Sequence, residues 1–266
     1  MSERLEKHWP VTTEIKAIDL LAQELPRPRG ELKRIMQKGA VWLTRKGGTR
    51  RLRRAKSPLR PGDTLHAYLD PAVLAQEPLP AELIADEGRY SIWSKPSGML
   101  SQGSKWGDHT TLGRVAERQL QPERPAFVVH RLDRAASGLI LLAHRKRTAA
   151  AFSELLRTRQ LEKRYRVWVH GAIPPEREQR LDAPLEGKEA ITHYRCLEAT
   201  ETRSHLEVRI ETGRKHQIRR HLSESGFPLV GDRLYGPGGD AEDLQLRACL
   251  LAFTDPEDGS QRRYAL

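Results

Sequence analysis

Apolar side chains recur at helical spacing in two short segments near the start of the chain. The first segment covers residues 15–25, and its apolar positions are Ile15, Ile18, Leu21, Ala22 and Leu25. The second covers residues 31–38, and its apolar positions are Leu32, Ile35 and Met36. Residues 26–30, rich in proline, separate the two segments, and Gly39 offers the backbone conformation in which helices commonly end. The pattern therefore predicts two short helices joined by a break.

Two strand-like segments follow these helices. Residues 41–43 are apolar, and residues 64–69 come directly after a Pro-Gly-Asp turn. Together with the helices they predict a compact α+β unit over residues 15–70. We expect residues 1–14 to form an N-terminal tail. Residues 71–83 contain three prolines and no clear period, which predicts a linker.

From residue 84 onward the chain has a mixed α and β pattern. Strands are predicted at residues 90–93, 127–129, 139–142, 166–169 and 206–210. Residues 149–161 have the spacing of an amphipathic helix. The pattern predicts a second, larger domain over residues 84–266.

Positive charge is concentrated in the predicted small unit. The formal net charge of the chain is +11, and residues 27–60 hold thirteen lysines and arginines against one acidic residue, Glu31. A solvated charge run is the commoner origin of such a segment. Here the apolar residues threaded through it indicate a fold, so the charge points to a polyanionic partner.

Other functional classes lack their usual signals. No apolar run approaches the roughly 18 residues that cross a bilayer, and the charged N-terminus lacks the apolar stretch of a secretory signal. Cys196 and Cys249 are typical of reduced thiols, so we expect a cytoplasmic protein. No phosphate-binding P-loop or dinucleotide motif occurs, and His216 and His221 lack further metal ligands nearby in the sequence. We therefore expect no cofactor, no metal and no membrane association.

Four segments of the larger domain carry candidate chemistry. In residues 130–138, Asp133 stands between two arginines on a turn between two predicted strands, where positive charge would keep a carboxylate ionised. Taken alone, such a turn is more often a surface loop with local ion pairs. Tyr165 begins a strand and is most simply a half-buried tyrosine. Residues 212–222 form a glycine-bearing turn into a basic helix, which suits an anionic ligand or a solvated face, and residues 231–236 form a turn-rich loop.

Five motifs in a fixed order resemble the RluA family of pseudouridine synthases over residues 84–266. They are KPSGM at residues 95–99, HRLDRAASG at 130–138, KRY at 163–165, TGRKHQIRRH at 212–221 and GDRLYG at 231–236. In the smaller unit, ELKRIMQKGAVWL followed by LRPGDTL is similar to the alpha-L RNA-binding domain. The resemblance implies an α+β catalytic domain with a mixed, mostly antiparallel sheet and flanking helices, preceded by a small basic α+β RNA-binding domain.

The resemblance also implies roles for individual residues. Asp133 would be the catalytic aspartate, acting at the ribose of a target uridine either by attacking a carbon or by removing a sugar proton. Tyr165 would stack on the base and assist removal of the proton from C5, and Arg219 would pair with Asp133. Arg131 would fill the gap that the extruded uridine leaves. Further RNA contacts are expected from His130, Arg214, Lys215, His216 and Gln217 in the larger domain and from Lys33, Arg34, Lys38, Arg51, Arg53 and Arg54 in the smaller one.

Two departures from the family pattern bear on activity. Ala136 stands where threonine is usual, and Ser94 stands where asparagine is common. The sequence predicts a monomeric enzyme that isomerises uridine in structured ribosomal or transfer RNA. It leaves open an RNA-binding or ribosome-assembly protein with impaired catalysis. A methyltransferase would need an S-adenosylmethionine site, for which the sequence shows no glycine-rich loop after a first strand.

Overall fold

The computed structural model describes residues 4–175 and 178–266, which divide into two units. The first unit contains residues 4–78 and 102–115, and the second contains residues 79–101 and the described residues from 116 onward. Among the described residues, no helix is both long enough and apolar enough to cross a membrane.

The first unit combines a four-stranded sheet with three helices, of which the third is a single turn. Its elements are β1 (Leu5–Pro10), β2 (Ile15–Lys16), α1 (Ala17–Glu24), α2 (Arg29–Gln37), β3 (Val41–Arg45), β4 (Gly48–Arg51), β5 (Pro58–Leu59), β6 (Thr64–Leu69) and α3 (Pro71–Leu74). The antiparallel sheet has the order β1-β6-β3-β4, and β2 pairs with β5. Leu21 and Leu32 of the helices share one buried cluster with Leu43 and Leu65 of the sheet. The two predicted helices and both predicted strands are present.

Three segments of the first unit differ from the sequence prediction. Residues 1–14 were expected to be a tail, but β1 pairs with β6 along its whole length, and only residues 1–3 lie outside the described residues. Residues 71–83 were expected to be a linker, but they contain α3, whose first turn is capped by Asp70. Residues 102–115 fall between motifs of the larger domain and nevertheless group with the first unit. Pairing and grouping with distant residues decide the first and third cases, which a local sequence pattern does not contain. The start of α3 is instead marked locally, because Asp70 followed by Pro71 is a helix-start signal.

The second unit is built around a large mixed sheet. Its elements are β7 (Glu82–Asp86), β8 (Tyr90–Lys95), α4 (Leu112–Gln119, which begins in the first unit), β9 (Phe127–Val128), β10 (Ser137–Ala143), α5 (Lys146–Arg157), β11 (Glu162–His170), β12 (Gln179–Leu181), β13 (Thr192–Ala199), β14 (Arg203–Ile210), α6 (Gln217–Glu224), β15 (Leu246–Thr254) and β16 (Gln261–Ala265). The strand order is β12-β13-β14-β11-β15-β10-β8-β7, with β16 beside β15 and β9 beside β10. Among the described strand pairs only β10 and β15 are parallel. The predicted mixed, mostly antiparallel sheet is confirmed.

Strand β11 and helix α6 bring two of the sequence motifs, KRY and TGRKHQIRRH, to one face of this sheet. Along β11 every second residue is buried, which places Tyr165 and Val167 on the same face. Ile218 and Leu222 of α6 share a buried cluster with these two residues. The loop that carries Asp133 leads into β10, which is separated from β11 in the sheet by β15 alone. The topology therefore gathers three motifs that lie far apart in the sequence.

Candidate active site

The loop that carries Asp133 is held by an earlier segment of the chain. Ser101 Oγ donates to the carbonyl oxygen of Leu132 at 2.9 Å, and Ser97 Oγ donates to that of Ala135 at 2.8 Å. These bonds fix the backbone on both sides of Asp133. The carboxylate therefore projects from a restrained loop.

Lys95 braces the same loop from inside the protein. Its side chain is fully buried, and its ammonium donates to the carbonyl oxygens of Pro96 (2.9 Å), Met99 (2.9 Å), Arg134 (3.3 Å) and Ala136 (2.6 Å). Burial lowers the pKa of Lys95 to about 8. A buried ammonium with four carbonyl acceptors joins the KPSGM segment to the loop on which the aspartate lies.

The turn after Asp133 is closely packed. Gly138 has a φ of +105°, and a Cβ there would lie 2.1 Å from the carbonyl oxygen of Ala248 on the neighbouring strand, so only glycine fits. Ala136 is buried, and its own N–H donates to the carbonyl oxygen of Asp133 at 3.2 Å. The turn therefore keeps its backbone contacts without the threonine hydroxyl of the family pattern.

Arg219 connects Asp133 to a second carboxylate. Its Nη1 donates to Asp133 Oδ2 at 3.3 Å, while Nε and Nη2 donate to the two oxygens of Asp232 at 2.8 and 2.6 Å. Asp232 is buried and also accepts hydrogen bonds from the N–H groups of Leu234 and Tyr235. Burial opposes both charges, but the hydrogen bonds between them prevail and lower the pKa of Asp232 while raising that of Arg219. Asp232 thus fixes the guanidinium that meets Asp133.

A cavity of about 660 Å³ opens beside these groups. Asp133, Tyr165 and Arg219 line it together with the apolar side chains of Ile218 and Leu246. Tyr165 is 6% exposed, and burial, with a smaller contribution from the charge of Asp133, raises the pKa of its phenol. The phenol is therefore protonated at neutral pH. The cavity has the size and the mixed apolar and charged lining of a small-ligand site.

His216 lies at the start of α6 in a strained conformation. Its φ is +54°, a value that a residue with a side chain rarely adopts. Its Nδ1 is 2.9 Å from the Tyr235 hydroxyl, and its Nε2 is 3.8 Å from Asp133 Oδ1. The ring of Tyr235 in turn packs against the guanidinium of Arg219, 5.1 Å from its centroid. Burial lowers the pKa of His216, so at neutral pH its imidazole is uncharged.

Comparison with known proteins agrees with this geometry. Residues 89–224 match the family described as RNA pseudouridylate synthase. An uncharacterized RNA pseudouridine synthase of Chloroflexus aurantiacus is 31% identical over 96% of this chain and 87% of its own. The chain belongs to the RNA pseudouridylate synthase family. The ribosomal large subunit pseudouridine synthase D of Xylella fastidiosa, 30% identical over 69% of this chain and 61% of its own, supports the predicted RluA type.

Solved structures show the same fold. The human protein RNA pseudouridylate synthase domain containing 1 superposes with a TM-score of 0.59 at 21% identity, over 72% of this chain and 86% of its own. The human protein RNA pseudouridylate synthase domain containing 4 gives a TM-score of 0.57 at 23% identity, over 70% of this chain and 87% of its own. The resemblance inferred from the five motifs is therefore confirmed at the level of family and fold.

In this pseudouridylate synthase, most of the predicted site residues line one cavity. His130, Arg131, Arg214, Lys215 and His216 lie around it, and Arg131, Arg214 and Lys215 are exposed. His130 is different, because its Nε2 accepts the N–H of Leu141 at 3.0 Å and burial lowers its pKa to about 3. Its imidazole is therefore neutral and part of the cavity wall.

Gln217 does not fit its predicted role as an RNA contact. Its side chain is buried, and its amide oxygen accepts from Thr212 Oγ1 and from the N–H of Arg214. Its amide nitrogen donates to Ile191 O and Thr192 Oγ1. Every polar capacity of the amide is therefore used within the fold. Gln217 anchors the turn that presents its neighbours.

The six basic residues predicted to bind RNA in the first unit fall into two groups. Lys33, Arg34 and Arg54 are exposed. The other three are engaged by the protein: Lys38 donates to Leu74 O, Arg51 donates to Ser104 O and lies over the Trp42 ring, and Arg53 donates to Asp108 and Gln37 O. These three side chains hold the segments 71–78 and 102–115 on the unit, which a charge count along the sequence does not reveal.

Three residues of the site were not assigned a role from the sequence. Asp232 and Tyr235 belong to GDRLYG, a motif whose simplest interpretation was a structural loop. Lys163 belongs to KRY, a motif in which only the tyrosine had a predicted role. The strand period could have identified Lys163, because a residue two positions before Tyr165 lies on the same face.

Proposed function

We propose that this protein isomerises uridine to pseudouridine in structured ribosomal or transfer RNA, with Asp133 acting on the ribose of the target nucleotide. One observation supports this most strongly. The Asp133 carboxylate lines a cavity of about 660 Å³ and is held by Arg219, which the buried Asp232 holds in turn. The hydrogen-bonded series Asp232–Arg219–Asp133 holds the anionic carboxylate of Asp133 oriented at the point where it would act on the sugar.

The reaction replaces the N-glycosidic bond of uridine by a C-glycosidic bond. The bond between N1 and C1′ breaks, the base turns, and a bond forms between C5 and C1′. The proton on C5 then leaves to solvent, and N1 gains one. Arg219 reaches Asp133 Oδ2, whereas His216 Nε2 at 3.8 Å is too far from Oδ1 for a hydrogen bond. Oδ1 is therefore the oxygen that meets the ribose, whether the carboxylate attacks a carbon or takes a sugar proton.

Tyr165 supplies a flat surface for the base. Its ring lines the cavity, and base stacking on an aromatic ring contributes about 1–3 kcal/mol. Its raised pKa means that the phenol can assist loss of the C5 proton only by passing on its own proton. Stacking and hydrogen bonding are thus its first roles.

The target base must leave its stack to reach this cavity, which costs a few kcal/mol. Arg131, two residues before Asp133, is exposed, and its guanidinium would fill the gap in the RNA. Unpaired loops and bulges lower the cost of extrusion, so the substrate is a uridine in such an element. Lys33, Arg34 and Arg54 of the first unit would add salt-sensitive contacts to the RNA backbone.

The decisive experiment is tritium release from unmodified RNA labelled at uridine C5. Ribosomal RNA is tested first because a relative is a ribosomal large subunit pseudouridine synthase, and transfer RNA is tested second. Wild type should release tritium and Asp133→Ala should not. Asp182→Ala, which removes an exposed carboxylate from the same unit, is the matched control and should retain activity. Sequencing of pseudouridine in the product then maps the target.

The same variants address the binding-only alternative. If Asp133→Ala binds RNA like wild type but releases no tritium, the protein is an enzyme and Asp133 serves chemistry. Release from neither protein, on both classes of RNA, would instead support a catalytically impaired RNA-binding protein.

A further inference from the structure

Lys163 is a buried lysine inside the active-site cavity. It lies on β11 two residues before Tyr165, on the same face of the strand, and it is only 8% exposed. Its side chain lines the cavity that Asp133 and Tyr165 also line. Its ammonium therefore opens to the space that a substrate would enter.

Nothing in the described part of the protein neutralises this ammonium. Among residues 4–175 and 178–266, no carboxylate forms an ion pair with Lys163, and no acceptor lies within hydrogen-bond distance of its Nζ. The neighbouring His130 is neutral and accepts a hydrogen bond from backbone, so it offers no charge. Removing an ammonium from water without a fixed partner is unfavourable.

Lys95 shows how this fold satisfies a lysine that only supports structure. Both ammonium groups are buried in the second unit, and burial lowers the pKa of each to about 8. Lys95 has four carbonyl acceptors, whereas Lys163 has none among the described residues. The contrast indicates that the acceptor for Lys163 comes from outside the protein.

The backbone next to Lys163 leaves room for such an acceptor. Gly213 is exposed, and a Cβ built on it would lie 3.9 Å from Lys163 Nζ. A larger side chain at this position would cover the ammonium, and glycine leaves it open. Arg214 and Lys215 follow directly and are exposed, so positive charge increases toward the rim of the cavity.

We propose that Lys163 binds a backbone phosphate of the RNA next to the target uridine. This assignment rests on the proposed function, which brings RNA into the cavity. A phosphodiester is the full negative charge that RNA carries beside each base, and a charge-assisted hydrogen bond to it would offset the burial of the ammonium. The contact would engage only when the uridine is extruded, so it would couple base extrusion to backbone binding.

The test is a double-mutant cycle, in which the side chain of residue 163 and single RNA phosphates are changed separately and together and the binding affinity is measured. The probe is an oligoribonucleotide spanning the uridine mapped by tritium release, with single neutral methylphosphonates placed in turn at each phosphate around that uridine. Affinities are measured by fluorescence anisotropy in the Asp133→Asn background, which prevents turnover. Lys163→Met removes the charge at similar volume, and Lys163→Arg retains it. Arg157→Met is the matched control, because Arg157 lines the same cavity but is paired with Glu154.

We expect Lys163→Met to weaken binding ~10- to 100-fold, as loss of a charged hydrogen bond would. At one phosphate, the methylphosphonate should weaken RNA binding to the parent protein and to Lys163→Arg. The same methylphosphonate should have little further effect on RNA binding to Lys163→Met. Arg157→Met should show no such coupling. If the affinity losses from Lys163→Met and from the methylphosphonate are independent at every phosphate, the two groups are not in contact and the assignment is wrong although the enzyme is active. The assignment is also wrong if Lys163→Met binds the RNA as tightly as its parent. Absence of tritium release from wild type would overturn the proposed function first, and this inference with it.

Discussion

Replacement of the two buried lysines by methionine should change stability in opposite directions. Lys163→Met removes an ammonium that has no acceptor among the described residues and leaves a side chain of similar size. Lys95→Met removes an ammonium that four carbonyl oxygens share. The two residues are of one type, both buried in one unit, and differ in their partners, so each is the control for the other.

The magnitude follows from the lysine pKa values. Lowering the pKa of Lys163 from 10.5 to about 8 corresponds to about 3 kcal/mol, at about 1.36 kcal/mol per pKa unit. We therefore expect Lys163→Met to raise the free energy of unfolding at pH 7 by about 1–3 kcal/mol. Lys95→Met gains a similar amount but leaves three carbonyl oxygens without a donor, each costing about 1–3 kcal/mol when unsatisfied, while Arg134 O keeps its hydrogen bond from the N–H of Gly98. At about 2 kcal/mol per unsatisfied oxygen, its net effect should be a loss of ~3 kcal/mol.

Urea denaturation of the free protein at several pH values measures both effects. Between pH 8 and pH 10.5 the folded state has released the Lys163 proton while the unfolded state still holds it, so unfolding takes up a proton. The contribution of Lys163 is therefore a penalty that is complete below pH 8 and disappears as the pH rises toward 10.5. The stability advantage of Lys163→Met over wild type should shrink across this window.

Two results would refute this reasoning. A loss of stability in Lys163→Met at pH 7 would mean that the ammonium has a favourable partner within the protein. A neutral effect of Lys95→Met would mean that the four carbonyl contacts do not hold the Asp133 loop.

Three further changes test other parts of the site. Asp232→Asn leaves the buried Arg219 with one anionic partner. We therefore expect the free energy of unfolding in urea to fall by about 3 kcal/mol and tritium release to become at least ~100-fold slower. A release rate equal to that of wild type would contradict the role of Asp232 as an anchor. Tyr165→Phe should keep RNA affinity within ~3-fold of wild type while lowering the rate of tritium release. Tyr165→Ala should lower that rate and also weaken RNA binding ~10-fold, because the stacking surface is lost. Equal RNA affinities of the two variants would exclude stacking. The triple change of Lys33, Arg34 and Arg54 to alanine should lower the slope of log affinity against log salt by ~2–3 without loss of stability. Arg51→Ala loses contacts to Ser104 and Trp42 and should instead destabilise the first unit. An unchanged slope in the triple variant would mean that its three residues do not contact RNA.

Local pattern was sufficient for the elements with a strong period. The helices α1 and α2, the strand β6 and the buried strand β10 were predicted within a few residues, because each has an apolar face or run that only one type of element can bury. β1 was not predicted, since most of its residues are exposed and its pairing with β6 joins residues more than fifty positions apart. β15, the central neighbour of β10 and β11, was also missed.

Motif order identified the family and predicted which residues are central to the candidate site. Asp133, Tyr165 and Arg219 could be named from short sequences, because the residue types and their order are unusual even when each motif alone is weak. Their meeting in one cavity depends on the strand order β11-β15-β10 and on the packing of α6 against β11, which no local pattern contains.

The sequence by itself determined the family, the class of chemistry and the concentration of basic charge. Tertiary structure alone decided which charged and polar side chains are available. Arg51, Arg53 and Gln217 are engaged in the fold, Asp232 supports Arg219, and Lys163 is buried without an acceptor among the described residues. The physical reason is that burial and hydrogen-bond partners come from residues distant in the chain. A charge in a sequence is only a possible contact, and its surroundings decide whether it serves the fold or the ligand.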